Sequence, residues 1–146
     1  MLITQKNQYA LKAVVELAKH IGAGPIKISE IARAQSIPMR FLEVILGQLK
    51  GSGFVDSKRG YTGGYYLLCP PESISVGDVI RFMQKGQTPS CECHKCITES
   101  DECPFDAECA FATMWERVNK AVFEIFDETT IKDLLDSEPS RKMSAH

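Results

Sequence analysis

Five of the six cysteines of this 146-residue chain lie within nineteen residues, from Cys91 to Cys109, in the spacing C-x-C-x2-C-x6-C-x5-C. The residues around them are polar and lack helical or strand periodicity, which predicts a loop. Thiols packed so closely are held either by disulfides or by a metal centre, and the choice decides what the protein senses or does. The fold must therefore accommodate a ligand loop between its helices.

The N-terminal segment predicts a cytoplasmic protein with no membrane partner. Lys6, Lys12, Glu16 and Lys19 interrupt the first apolar stretch, so it has neither a signal-peptide core nor a cleavage site, and no stretch reaches membrane-spanning length. In a reducing compartment, a cysteine cluster is more often metal-binding or redox-active than a set of structural disulfides. A chain of this size with 44% hydrophobic residues can form one compact domain plus an extra helix without disulfides.

The net charge of -2 conceals an asymmetry between the two halves of the chain. Residues 1–69 carry nine basic and four acidic side chains, a balance of +5, whereas residues 70–146 carry eight and fifteen, a balance of -7. A polyanion would be attracted to the first half and repelled by the second, which suggests a nucleic-acid face and a separate acidic module. An uneven but merely solvated surface would explain the same charges.

Apolar periodicity predicts three helices in the first fifty residues. The first runs from about residue 9 to Gly22, the second is a short helix over residues 28–32 capped by Ser29, and the third runs from Pro38 to Lys50. Two short helices joined by a tight turn, the second with a charged outer face, make a helix-turn-helix candidate. The alternative is an ordinary helical hairpin. The apolar face of the third helix consists of Phe41, Leu42, Ile45, Leu46 and Leu49.

A basic, glycine-rich hairpin is predicted directly after the third helix. Residues 54–57 and 65–68 have the composition of strands around the tip Lys58-Arg59-Gly60-Tyr61-Thr62-Gly63-Gly64. The glycines allow the tip to approach a groove closely, and Arg59 can enter a narrow minor groove, where the negative potential is strongest. Helix, turn, helix and basic hairpin in this order favour a winged helix-turn-helix that binds double-stranded DNA.

The second half is predicted to contain a short helix over residues 76–83, capped by Ser75, and a long apolar helix. From Phe105 to Phe126 apolar residues keep helical spacing for about six turns. So long an apolar stripe cannot be buried by so small a domain, so we expect it to pack against the first helix of a second chain. A two-fold homodimer would match a palindromic DNA site. The expected dimer contacts are Trp115, Val118 and Val122.

The chain resembles the winged-helix transcription regulators typified by IscR, NsrR, RirA and CymR, over nearly everything to about Leu135. The matching segments are Tyr9-Ala10-Leu11, Ile28-Ser29-Glu30-Ile31-Ala32, Phe41-Leu42-Glu43, Arg59-Gly60 with Gly63-Gly64-Tyr65, Gly77-Asp78-Val79-Ile80 and Thr130-Ile131-Lys132-Asp133-Leu134. In the cluster-binding members three cysteines precede a tryptophan, as Cys96, Cys103 and Cys109 precede Trp115 here. The resemblance implies that these three thiolates, soft anionic donors, bind an iron–sulfur cluster, either 2Fe-2S or 4Fe-4S.

Two departures from the family pattern leave the fourth ligand open. IscR-like members have a histidine three residues after the third cysteine, where this chain has Ala112, and NsrR-like members have an acidic residue where it has Gln8. The candidates within the chain are Cys91, Cys93 and His94, and an exogenous thiol or water is the alternative. Cys69 lies outside this group, and we expect it to be a small buried hydrophobe.

The resemblance also implies which residues contact DNA. Glu43 and Arg59 match positions associated with base and minor-groove contacts, whereas Arg40 and Val44 replace the polar residues usual in IscR-like readers, so we expect an altered operator. Lys58 is expected to contact phosphate. Arginine is the commonest specific reader of guanine, although Arg40 and Glu43 could merely pair with each other at i, i+3. The expected DNA-binding residues are Arg40, Glu43, Val44, Lys58, Arg59 and Gly60.

The predicted fold is mainly α. It comprises a winged helix-turn-helix domain with a two-stranded wing over residues 1–84 and a cysteine-rich cluster-binding loop over 85–104. A long dimerisation helix with a C-terminal helical segment follows over 105–137, then a flexible tail over 138–146. The chain has no nucleophile–base motif, phosphate-binding loop or metalloprotease pattern, so an enzyme is not expected.

Three functions fit the sequence. The favoured one is a transcription regulator that senses iron, redox state or nitric oxide through an iron–sulfur cluster. The second is a regulator of the same fold whose cysteines hold zinc or form reversible disulfides. The third is an adaptor or small electron carrier that does not bind DNA.

Overall fold

The computed structural model describes residues 4–84 and 110–139. None of the helices in these two segments is long and apolar enough to cross a membrane. In chain order the elements are α1 (Gln5–Lys19), α2 (Ile28–Gln35), α3 (Met39–Leu49), β1 (Val55–Lys58), β2 (Gly64–Leu67), a 3-10 turn (Pro71–Ser73), α4 (Val76–Met83), α5 (Ala110–Glu128) and α6 (Ile131–Ser137).

Helix α1 lies at the centre of the fold and packs against α2, α3, α4, α6 and β2. Its small side chains Ala10 and Ala13 are fully buried, which lets the neighbouring helices approach closely, and Val14 and Leu17 fill the space between them. Most of the predicted apolar face of α3 packs on this platform. Its buried members are Leu42, Ile45, Leu46 and Leu49. The core therefore fixes which side of α3 faces solvent.

The prediction that Ser29 caps α2 is wrong. The helix begins at Ile28, whose side chain packs against the core, so Lys27 and not Ser29 occupies the N-cap, and Lys27 makes no side-chain cap hydrogen bond. Ser29 therefore lies inside the first turn. Helices α2 and α3 are joined by a tight turn in which Ser36 adopts a left-handed conformation, with φ 54° and ψ 45°, and Ile37 is buried.

Strands β1 and β2 pair antiparallel from Val55 opposite Leu67 to Lys58 opposite Gly64. Ile26, between α1 and α2, extends this hairpin by exchanging backbone hydrogen bonds with Tyr65 at 2.9 and 2.8 Å. A Cβ at Gly64 would overlap the backbone of Ile26, so a glycine is needed for this approach. The wing is therefore attached to the helix-turn-helix by main-chain contacts.

Helices α4, α5 and α6 meet at a junction with two capping boxes. Ser75 caps α4, as predicted, by accepting a hydrogen bond from the Asp78 N–H at 3.0 Å, and Thr130 caps α6 through Asp133 in the same way. The backbone N–H of Ile131, which is fully buried, donates to the Ile74 carbonyl at 2.9 Å. These contacts anchor the C-terminal end of α5 beside the first turn of α4.

A bidentate ion pair joins α4 to α5. The two guanidinium nitrogens of Arg81 donate to the two carboxylate oxygens of Asp127 at 2.6 and 2.7 Å, and these hydrogen bonds lower the pKa of Asp127 below its usual 3.8. Gly77 lies beneath this pair, where a Cβ would overlap the Asp127 carboxylate. The ion pair therefore links the helix that precedes residues 85–109 to the helix that follows them.

A second polar group connects α1 to α2 and α6. The carboxylate of Glu16 is nearly buried; it accepts a hydrogen bond from Gln35 Nε2 at 2.7 Å and lies 3.4 Å from Lys19 Nζ. Burial raises the pKa of Glu16, but the hydrogen bond from Gln35 and the charge of Lys19 outweigh it, so the pKa lies below its usual 4.5. Lys19 also pairs with Glu138, just after α6, at 2.7 Å.

Candidate nucleic-acid interface

The outer side of α3 presents one row of side chains to solvent. Arg40, Glu43, Val44 and Gly47 follow the spacing i, i+3, i+4, i+7, and all four are exposed. Val44 is 58% exposed, which is unusual for a branched apolar residue in a helix whose other side supplies the core. Three of the four are predicted DNA-contacting residues. The structure therefore brings the expected base-reading positions together on one surface.

Arg40 and Glu43 do not form an ion pair with each other, which was the alternative to a role in DNA contact for these two residues. The guanidinium carbon of Arg40 lies instead 4.8 Å from the ring centroid of Phe41. The apolar spacing of α3 predicts Phe41 on the buried face. Phe41 instead lies at the edge of that face and is 44% exposed. Its ring packs against Tyr9 of α1, with 6.4 Å between the centroids.

The wing presents a second exposed group. Lys58, Arg59 and Gly60 lie at its tip, and Gly60 has φ 111°, a conformation that favours glycine. Tyr61 is 91% exposed, and Lys27 Nζ, at the start of α2, lies 5.0 Å from its ring centroid. Neither Lys27 nor Tyr61 was among the expected DNA-contacting residues. The sequence signal for Tyr61 is its place in the hairpin tip, whereas the position of Lys27 depends on the tertiary fold.

Four cations of this surface form no ion pair with any acidic residue that the structure describes. Within residues 4–84 and 110–139, none of Lys27, Arg40, Lys58 and Arg59 forms an ion pair. The helices of the helix-turn-helix also lack side-chain caps, whereas α1, α4 and α6 are capped by Thr4, Ser75 and Thr130. The first N–H groups of α2 and α3 can therefore donate to an outside acceptor such as a phosphate oxygen.

Helix α5 has an apolar side that the described part of the chain does not cover. Val118 is 39% exposed, Trp115 and Val122 are half-buried, and further apolar side chains are exposed along the same helix. These further residues are Phe111, Met114 and Ile125. All three expected dimer-contact residues therefore lie on a helix that is only partly packed by the described part of the chain.

The predicted cluster ligands lie outside the described residues, as do the candidates for the fourth bond. The ligands are Cys96, Cys103 and Cys109, and the candidates are Cys91, Cys93 and His94. In the part of the chain that the structure describes, no group of His, Cys, Asp or Glu could hold a metal ion. Cys69 is half-buried and packs against the core, and its Sγ lies 3.5 Å from the Gly53 carbonyl oxygen.

Over residues 3–137 the chain matches the family described as Rrf2, iron-dependent transcriptional regulator. The protein belongs to the Rrf2 family. It is 35% identical to the HTH-type transcriptional regulator CymR of Bacillus subtilis over 134 residues, which are 92% of this chain and 89% of that protein.

Two solved structures of named regulators support the same assignment. IscR of T. potens has a TM-score of 0.75 and 29% identity and covers all of this chain and 94% of its own. CymR of B. subtilis, described as the global cysteine regulator, has a TM-score of 0.75 and 33% identity. The match covers 95% of this chain and 99% of the CymR chain.

These likenesses confirm several predictions made from the sequence. The Rrf2-family protein has the expected mainly helical, winged-helix fold, and the resemblance to the IscR and CymR group is correct. It is a transcriptional regulator and not an enzyme. The family assignment also favours regulation over the third candidate, the adaptor or electron carrier.

Proposed function

We propose that this Rrf2-family regulator binds a palindromic double-stranded operator as a homodimer, and that an iron–sulfur cluster held by the cysteine-rich loop changes its affinity for DNA. The observation that carries the DNA-binding part is the exposed row of α3 beside a basic wing, with four cations that no acid neutralises within the described residues. Exposed cations without an acidic partner attract a polyanion.

Each residue of this surface has a contact that suits its chemistry. Arg40 can donate two hydrogen bonds to guanine, Glu43 can accept from cytosine, and Val44 can pack against a thymine methyl group in the major groove. Lys58 neutralises a phosphate, and Arg59 enters a narrow minor groove. The uncapped N-termini of α2 and α3 add backbone N–H groups that can donate to phosphate oxygens. Such contacts position the protein on DNA without reading its sequence.

The homodimer is supported by the apolar side of α5. The described residues of the chain bury Val118, Trp115 and Val122 incompletely, and a second copy would remove this surface from water. Two-fold symmetry would place two copies of α3 in successive major grooves, which requires an operator with two half-sites.

The cluster is supported by the cysteine spacing, by the likeness to IscR and by the iron dependence in the family's description. Cys96, Cys103 and Cys109 would supply three thiolates, and Cys91, Cys93 or His94 is the candidate for the fourth bond. The loop lies in sequence between α4 and α5, which Arg81 and Asp127 join. A change in the loop would therefore act on helices that are tied to the DNA-binding domain.

A second candidate is a thiol-responsive regulator of the same fold, in which the cysteines form reversible disulfides or hold zinc. The observation that favours it is the likeness to CymR, a cysteine regulator, at 33–35% identity against 29% for IscR of T. potens. Both candidates use the same DNA-binding surface and differ only in what the cysteines hold.

Anaerobic purification followed by iron, acid-labile sulfide and zinc analysis separates the two candidates. Equimolar iron and sulfide support the cluster, and zinc without sulfide supports a zinc site. A protein that contains neither metal supports the disulfide switch. Replacing Cys96, Cys103 or Cys109 by Ser should abolish the visible charge-transfer absorption of the cluster. Cys69→Ser is the matched control and should retain it, and a normal cluster in all three loop variants would contradict the ligand assignment.

DNA binding is tested by selection from randomised duplexes, followed by fluorescence anisotropy across a salt series. Arg40→Ala should cost about 1–3 kcal/mol at the selected operator and relax the preference at one position in each half-site. Lys58→Ala should instead weaken binding to all duplexes alike and lower the salt slope by about one per site. If neither the metal-bound nor the metal-free protein selects any sequence, the DNA-binding proposal fails.

A further inference from the structure

Phe41 is a large aromatic residue in an exposed place. It lies in the first turn of α3, at the edge of the buried face and directly after Arg40 in the chain, and 44% of its surface is exposed. Its neighbours Leu42 and Ile45 supply the contact with the core, so the core does not account for an aromatic ring here. The guanidinium carbon of Arg40 lies 4.8 Å from the ring centroid.

The Phe41 ring also contacts α1. Tyr9 packs against it with 6.4 Å between the ring centroids and 34° between the ring planes. The Tyr9 hydroxyl accepts a hydrogen bond from Gln5 Nε2 at 2.8 Å, and Tyr9 itself packs against the hydrophobic core. The contacts therefore run from the central helix through two aromatic rings to the guanidinium of Arg40.

We propose that Phe41 is a positioning residue for base recognition, because its ring holds the Arg40 guanidinium in the orientation that reads a guanine. This inference rests on the proposed DNA-binding function and names the group that makes it specific. A long arginine side chain loses much conformational freedom when it binds, and a ring that already restrains it reduces that loss.

Stacking on Phe41 is compatible with base recognition. A ring that lies against the face of a planar guanidinium leaves the edge free, and guanine O6 and N7 accept hydrogen bonds from that edge. Arg40 can therefore keep its contact with Phe41 while it donates to the base. If Arg40 instead had to leave the ring in order to bind the base, removal of the ring would strengthen operator binding. The two possibilities therefore predict changes in affinity of opposite sign.

A double-mutant cycle tests the proposal on the full-length dimer and the selected operator. Phe41→Leu removes the ring but keeps an apolar side chain, and it should weaken operator binding about two- to fivefold, the range of an exposed cation–π contact. It should also reduce the preference for one G·C pair in each half-site. In the Arg40→Ala background the same change should have no effect. Phe41→Tyr keeps the ring and should bind like the wild type.

Urea unfolding of every variant separates these effects from loss of the fold, and Phe41→Met provides a second ring-free variant should Phe41→Leu be unstable. Equal weakening by Phe41→Leu with and without Arg40 would show a structural role and overturn the inference while DNA binding stands. Tighter binding by Phe41→Leu, or an Arg40→Ala variant with wild-type preference, would also overturn it. Absence of any sequence preference in the wild type would instead overturn the proposed function itself.

Discussion

Gly63 is a position in the tip of the wing where one added methyl group should have a large effect. Its backbone N–H donates to the Gly60 carbonyl at 3.0 Å, and this bond closes the tip. A Cβ at this position would overlap the carbonyl oxygen of Lys58 and lie 2.9 Å from the carbonyl carbons of Lys58 and Arg59. Because carbon atoms normally stay about 3.5–4.0 Å apart, the backbone of the tip must open.

The free-energy cost of Gly63→Ala depends on which atoms the new Cβ overlaps. Backbone atoms cannot rotate away as the end of a side chain can, so we expect a destabilisation of about 1–3 kcal/mol, as for other overpacked sites. With a urea m-value of roughly 2 kcal/mol/M, the midpoint of unfolding should fall by about 0.5–1.5 M. Displacement of Arg59 should also remove the advantage of A/T-rich over G/C-rich operator flanks.

Gly47→Ala is the matched control, since it adds the same methyl group to another glycine. No atom lies within 4 Å of a Cβ at Gly47, in the interior of α3, so the change should raise stability by about 0.5–1 kcal/mol through helix propensity. Circular dichroism during urea unfolding measures both variants. An unfolding midpoint and flank preference unchanged by Gly63→Ala would refute the reasoning.

Three further predictions concern the helices outside the wing. The lowered pKa of Glu16 contributes stability that is present above its usual pKa of 4.5 and is lost as the pH falls through the lower value in the folded protein. Urea midpoints should therefore fall more steeply below pH 4.5 in the wild type than in Glu16→Gln, and parallel curves would exclude this role. Val118→Asp combined with Val122→Asp should place charges in the α5 interface at a cost of several kcal/mol, so sedimentation should show monomer or unfolded material; a wild-type monomer at micromolar concentration would contradict the dimer. Thr130→Ala should cost about 1 kcal/mol by removing the α6 cap, whereas Thr113→Ala, on the exposed side of α5, should change stability by less than about 0.5 kcal/mol; equal effects would argue against the capping box.

The sequence predicts the helix-turn-helix well because its information is local. The apolar spacing of α3 marks the side that α1 covers and leaves Arg40, Glu43 and Gly47 off it, whereas Val44 was expected at the DNA surface only from the family resemblance. The cap at Ser75 was also predictable, because Asp78 follows three residues later and completes the box. Ser29 has no such context. The side chain of Ile28 packs on the core and Ile28 is the first residue of α2, so the N-cap is Lys27, two positions before Ser29.

The tertiary contacts of the site could not be predicted in the same way. Arg81 and Asp127 are 46 residues apart, and periodicity within either helix gives no sign of their pairing. The stacking of Arg40 on Phe41 depends on Tyr9, which lies on another helix and fixes the ring. Sequence spacing assigns faces of helices, whereas the partner of an exposed side chain is decided by how those helices pack.

Operator affinity measured in two metal states tests the central claim most directly. Anaerobically purified protein and chelator-treated protein are compared on the selected operator by fluorescence anisotropy at one salt concentration, together with the Cys96→Ser variant. A regulator that senses through the cysteine-rich loop should show affinities that differ by about 5–150-fold between the two states, the usual range of allosteric coupling, and the variant should bind like the metal-free form. Equal affinities in both states, in protein shown by analysis to carry and then to lose its iron and sulfide, would contradict the proposal.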